Sequence, residues 1–85
     1  MPTVNGILGP YRFFFYSFDC NEPIHIHVQR DRMICKFWIK PVAVARNQGF
    51  SAKELNTIRK IITKNSDRIM RAWHEHCGTN TGSEN

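Results

Sequence analysis

The segment Pro23-Ile24-His25-Ile26-His27-Val28 alternates apolar residues with imidazoles. In a β-strand successive side chains point to opposite faces. Ile24, Ile26 and Val28 then share one face, and His25 and His27 stand side by side on the other. Core packing does not call for two imidazoles on a non-core face. Such a pair can bind a metal, move protons or contact a charged ligand. A structural zinc site takes four ligands, and Cys20 is the nearby candidate for a third. The plainer reading, which outweighs these, is a half-buried polar face that meets a partner or solvated histidines on an exposed strand. His74 and His76 have the same spacing, but on a helix residues i and i+2 point apart, so these two are not a chelating pair.

The elements that position the histidines can be read on either side of them. Tyr11 to Phe18 is aromatic-rich and reads as a strand. Asp19 to Pro23 is a polar turn, and the histidine strand runs from Ile24 to Arg30. Asp31-Arg32 is a two-residue hairpin connection into Met33 to Lys40, whose apolar face is Met33, Cys35, Phe37 and Ile39. Pro41 ends that strand because it has no N–H to donate. Pro41 to Gly49 is a connector without a readable structure. Ser51 and Glu54 have the capping-box spacing, with Phe50 and Leu55 placed as a hydrophobic staple. Leu55, Ile58, Ile62, Ile69 and Trp73 then make one helical stripe, with Lys53, Lys60, Lys64, Arg68 and Arg71 opposite. Asn65-Ser66 interrupts the stripe, and Gly78 is a helix stop. The expected fold is α+β: a three- to four-stranded antiparallel meander packed on a long C-terminal amphipathic helix, or on two. It is expected to span residues 1–78 as one domain, with a disordered polar tail over 79–85.

A two-residue turn at Asp31-Arg32 sets Val28 opposite Cys35 and Ile26 opposite Phe37. It also sets His27 opposite Lys36 and His25 opposite Trp38. Lys36 beside His27 should lower the histidine pKa. Either Arg12, Phe14 and Tyr16 or Tyr11, Phe13 and Phe15 join the histidine face; the first set is preferred because it leaves more apolar surface for the core. The face then gathers Arg12, Tyr16, His25, His27, Gln29, Lys36, Trp38 and Lys40. Cations bind phosphate, and flat rings stack on unpaired bases. Metal-independent RNA cleavage needs a base, an acid and a cation, roles open to His25, His27, Lys36 and Tyr16. Arg12, Trp38 and Lys40, with Lys60, Lys64 and Arg68 of the helix, are the candidate nucleic-acid contacts. The basic side of a helix is most often just a solvated face, which is the plainer reading of the last three.

Eighty-five residues make one small domain with a modest core, so a homodimer or a hetero-complex is expected. A formal charge of +5 suits an anionic partner. The three cysteines, Cys20, Cys35 and Cys77, include no CxxC pair, and their odd number argues against a secreted disulfide scaffold. Cys35 and Cys77 are expected to be inert core residues in a reduced, cytoplasmic protein. No signal peptide opens the chain, and no apolar run approaches the roughly 20 residues of a membrane helix. No metal or other cofactor is expected.

Met1–Val4, Gly9–Ser17, Asn21–Val28, Lys36–Trp38, Ala45–Ser51 and Ala72–Trp73 occur in an order that resembles the small bacterial domain-of-unknown-function family forty-one-sixty. The likeness covers almost the whole chain to about Gly78. Pro10 after Gly9, and Ile24 in place of a second proline, are small departures. Members of that family are typically encoded beside a second small protein, in an arrangement resembling a toxin–antitoxin operon. The resemblance implies a toxin-like protein held by a cognate antitoxin-like partner, and it carries no reaction with it. RNA or the translation machinery is the expected target. The alternative is a non-enzymatic protein- or DNA-binding module of the same operon.

Overall fold

The computed structural model describes residues 3–7, 9–16 and 19–78. Four antiparallel strands lie in chain order across one sheet: β1 (Arg12–Phe14), β2 (His25–Arg30), β3 (Met33–Ile39) and β4 (Val42–Gln48). Two helices follow, α1 (Ala52–Lys64) and α2 (Ser66–Cys77). The fold class is the expected α+β, with four strands and the helical stretch divided in two. The expected tail over 79–85 lies outside the described residues.

The hairpin register is the one that the alternation predicts. Val28 faces Cys35, Ile26 faces Phe37, His27 faces Lys36 and His25 faces Trp38. Asp31 takes φ of 56°, the left-handed backbone that a two-residue turn between twisted strands requires and that Asp tolerates. β1 pairs Phe13 with Val28 and Phe14 with His27, so Arg12 and Phe14 belong to the histidine face. β1 is much shorter than the expected strand over Tyr11 to Phe18. The Tyr16 N–H leaves the ladder and donates to the Asp19 carboxylate at 2.7 Å. Ser17 and Phe18 lie outside the described residues.

The stretch without a readable structure is β4. Its pairing changes register at one point: Phe37 faces Val44, whereas Lys36 faces Arg46, leaving Ala45 as the extra residue of a bulge. Bulges re-aim side chains. Without the extra residue, Arg46 would oppose Cys35 on the core face. With it, Arg46 and Gln48 turn to the histidine face.

The core lies between the other sheet face and the helices. Phe13, Phe15, Ile26, Val28, Phe37, Ile58, Ile62 and Ile69 are essentially inaccessible. Ser51 Oγ accepts the Glu54 N–H at 3.1 Å, which is half of the expected capping box. The Glu54 carboxylate does not complete it. It accepts instead from Tyr11 Oη at 3.0 Å and from Arg30 at 2.6 Å, clamping α1 to the sheet. Phe50 is buried, and Leu55 packs against the same core. Asn65 ends α1, its side chain donating to the Ile61 carbonyl at 2.8 Å, and α2 starts at once.

Cys20 and Cys77 form a disulfide across 57 residues of chain, which corrects the expectation of reduced thiols and of Cys77 as an inert core residue. The pairing joins two ends distant in sequence, which an odd count without a CxxC spacing does not reveal. Cys35 is buried and free, and burial pushes its thiol up to about 12. Among the described residues no helix is long and apolar enough to cross a membrane. The double substitution Cys20→Ser/Cys77→Ser is expected to lower the unfolding free energy by about 2–4 kcal/mol, read from denaturant titration of the oxidised and serine proteins.

Candidate functional site

The site forms where the short 3₁₀ turn Asp19–Asn21 runs against the start of β2. Asp19 is 5% exposed. A buried carboxylate is costly unless its oxygens are satisfied. Asp19 Oδ2 accepts the Tyr16 N–H and lies 3.1 Å from His27 Nε2. Asp19 Oδ1 lies 3.2 Å from His25 Nε2. Asp19 therefore takes the place that the sequence offered to Cys20 as the third polar group beside the histidines. Cys20 is bonded to Cys77 instead.

The two histidines have different settings. His25 is wholly buried, closed in by Trp38 at 5.7 Å and by Trp73 of α2 at 5.2 Å. Its Nδ1 is 2.8 Å from the Pro23 carbonyl. A carbonyl only accepts, so Nδ1 carries the hydrogen. His25 Nε2 has no hydrogen-bond partner. The 3.2 Å approach to Asp19 is close enough for an ion pair but lies off the hydrogen-bond direction, so the contact is one of proximity only. An unsatisfied buried acceptor of this kind costs about 1–3 kcal/mol. His27 keeps a partly open side, with Tyr16 edge-on at 4.6 Å and Phe14 stacked at 5.5 Å. Burial lowers the His27 pKa, helped by the neighbouring His25 and Lys36 and opposed by Asp19. The direction agrees with that expected from Lys36, but burial is the main cause.

His27 and Asp19 open onto a cleft of about 320 Å³, lined also by Tyr16, Glu22, Lys36, Arg46 and Gln48. That is at the small end of the range for ligand sites. Lys36 Nζ pairs with Glu22 at 2.6 Å and sits 4.6 Å above the Trp38 ring. The same hydrogen bond holds the Glu22 carboxyl below its ordinary value. Of the residues singled out in the sequence, Tyr16, His27 and Lys36 line the cleft together, and His25 lies behind them. Arg12 stacks over Phe14 at 5.0 Å on the same face, and Lys40 is exposed at the β3–β4 turn. Lys60, Lys64 and Arg68 do not join them: they are exposed on helices that cover the opposite sheet face. Arg68 instead reaches the Asn5 carbonyl at 3.5 Å.

Sequence reasoning passed over Asp19, Arg46 and Gln48. Asp19 looked like an ordinary turn residue, and nothing local marks a turn carboxylate as buried. Arg46 and Gln48 owe their place to the bulge. The break in alternation within Val42-Ala43-Val44-Ala45-Arg46 was the available signal.

A family described as a domain of unknown function, DUF4160, matches residues 11–74, and the chain belongs to that family. No curated protein and no solved structure matches it.

Because the folded His27 pKa lies below the unfolded value of about 6.5, the unfolded chain binds more protons as the pH falls. This contribution to stability is complete above about pH 6.5 and is lost as the pH drops through the folded value. In chelator-treated protein the His27 ring is expected to titrate below pH 6.5 by NMR. His27→Gln should lose less stability than wild type between pH 7 and 5.

Proposed function

We propose that this protein is the toxin-like member of a two-protein bacterial module and that it acts on RNA at the cleft between β2, β3 and β4. One observation carries the reading. His27, held by the buried Asp19 carboxylate, opens onto the same space as Lys36 and Arg46. Phosphodiester cleavage calls for this pairing of cations with a proton-handling group. The cations draw off phosphate charge, and the positioned group takes the proton of the attacking hydroxyl.

For RNA the attacking group is the ribose 2′ hydroxyl. The O2′–P bond forms as the P–O5′ bond breaks. The O2′ proton passes to the Asp19–His27 end of the cleft, and O5′ receives a proton from the Tyr16 side. Trp38, partly exposed on the same face, offers a flat ring near the cleft for an unpaired base. The net charge of +5 favours a polyanion. His25, wholly buried, serves as support for this end of the cleft. The toxin-like context rests on the family resemblance, and an acidic partner protein would cover the basic cleft.

A second reading, a non-enzymatic binding module, is favoured by β4. This seven-residue strand has β3 as its sheet neighbour and is exposed over most of its length, with Val44 36% exposed. An edge of that kind can accept a strand from a partner.

Induction of the protein alone is expected to arrest growth and leave cut cellular RNA. His27→Ala should slow cleavage roughly 100-fold or more, and Lys36→Ala/Arg46→Ala should weaken RNA binding with a shallower salt dependence, each with the fold intact by circular dichroism. Arrest by the His27→Ala protein equal to wild type overturns the proposal. No arrest, with tight co-purification of the product of the neighbouring gene, moves the assignment to the binding module.

A further inference from the structure

We propose that Asp19, His25 and His27 form a binding site for one divalent transition-metal ion at the closed end of the cleft. This goes beyond the RNA reading, since the ion needs no RNA to bind. One ligand atom from each of the three residues lies within 4.8 Å of the other two. His25 Nε2 is 3.2 Å from Asp19 Oδ1 and His27 Nε2 is 3.1 Å from Asp19 Oδ2, so each imidazole faces its own carboxylate oxygen. Ligand atoms each about 2.1 Å from a shared ion stand roughly 3.0–3.4 Å apart at octahedral or tetrahedral angles. Both separations already fall in that range. Two imidazoles and one carboxylate are a donor set suited to zinc, iron(II) or manganese(II), with further positions left open.

The second observation is His25 itself. Its Nδ1–H donates to the Pro23 carbonyl at 2.8 Å, which leaves Nε2 as the unprotonated nitrogen, 3.2 Å from Asp19 Oδ1. A ring nitrogen that ligates a metal is commonly fixed in this way by a hydrogen bond from the other nitrogen. His25 Nε2 is buried and has no hydrogen-bond partner. A hydrogen placed on it would not point at Asp19 Oδ1, whereas a cation bridging the two acceptors satisfies both. His27 Nε2 lies within hydrogen-bond distance of Oδ2, and an ion there takes the place of the shared proton. Asp19 and His27 also line the cleft, so the open coordination positions face Lys36 and Arg46. Lys36 is paired with Glu22, which lessens its repulsion of a cation. The other candidate group, Cys20, His76 and Cys77, has both sulfurs bonded to each other and keeps a single donor.

The test uses the full chain with its disulfide intact, stripped with a chelator and titrated with Zn²⁺ and with Co²⁺ by calorimetry and visible absorption. One equivalent is expected to bind. His27→Gln and Asp19→Asn, checked by circular dichroism, should weaken binding roughly 100-fold or more, and His76→Ala should leave it unchanged. On wild-type protein, Zn²⁺ should shift the His25 and His27 ring resonances by NMR and leave those of His74 in place, a readout that needs no variant. No saturable binding, unshifted His25 and His27 resonances, or binding lost only in His76→Ala overturns the site. RNA cleavage by the chelator-stripped protein is scored separately. Cleavage without metal keeps the RNA reading whatever becomes of the ion site, and metal binding without cleavage keeps the site alone.

Discussion

A buried carboxylate organises the functional end of this molecule. Asp19 has little access to water, and its oxygens must find partners inside the protein. The Tyr16 amide supplies one and His27 another, while His25 stands beside the remaining oxygen. Three segments are thereby held together: the chain leaving β1, the 3₁₀ turn and the start of β2. The next residue, Cys20, is bonded to Cys77 and brings the end of α2 to the same place. The shortness of β1 follows from this demand, because an amide committed to Asp19 cannot remain in the ladder.

Two faces of one sheet do different work. The helix-facing side is filled by Phe, Ile and Val from every strand but β4, where Val42 is only partly buried. That packing fixes the register, since a one-residue slip would exchange the isoleucines with the histidines. The opposite side collects Tyr16, His27, Lys36 and Trp38 around the buried ring of Phe14. Its histidine end is closed by Trp38 and Trp73, so His25 is sealed although it shares a face with His27. A polar cluster half sealed and half open is suited to hold a small charged species against one wall.

The bulge at Ala45 adds a cation to that wall. In a regular ladder Arg46 would oppose Cys35 on the helix-facing side, away from the cleft. One extra residue turns it outward beside Lys36. Asn47, which now opposes Cys35, takes up the Phe50 backbone at 3.1 and 2.9 Å and leads the chain into α1. The strand that completes the cleft is therefore also the one that starts the helical layer.

The amino-acid order by itself determined the α+β class, the β2–β3 register, the face shared by His25, His27, Lys36 and Trp38, and the helical stripe with its interruption at Asn65. Each of these is set by side-chain periodicity or by a local cap, and both are carried within a few residues of the chain. Only the tertiary structure decided that Asp19 is buried against both histidines, that His25 is closed in by Trp73, that Glu54 serves Tyr11 and Arg30 in place of its own helix cap, and that Cys20 meets Cys77. Those contacts join residues from 6 to 57 positions apart, and burial or pairing across such distances leaves no period to read. The bulge lies between the two cases: broken alternation was visible in the sequence, but only the paired strand shows which residue is extra and which way Arg46 then points.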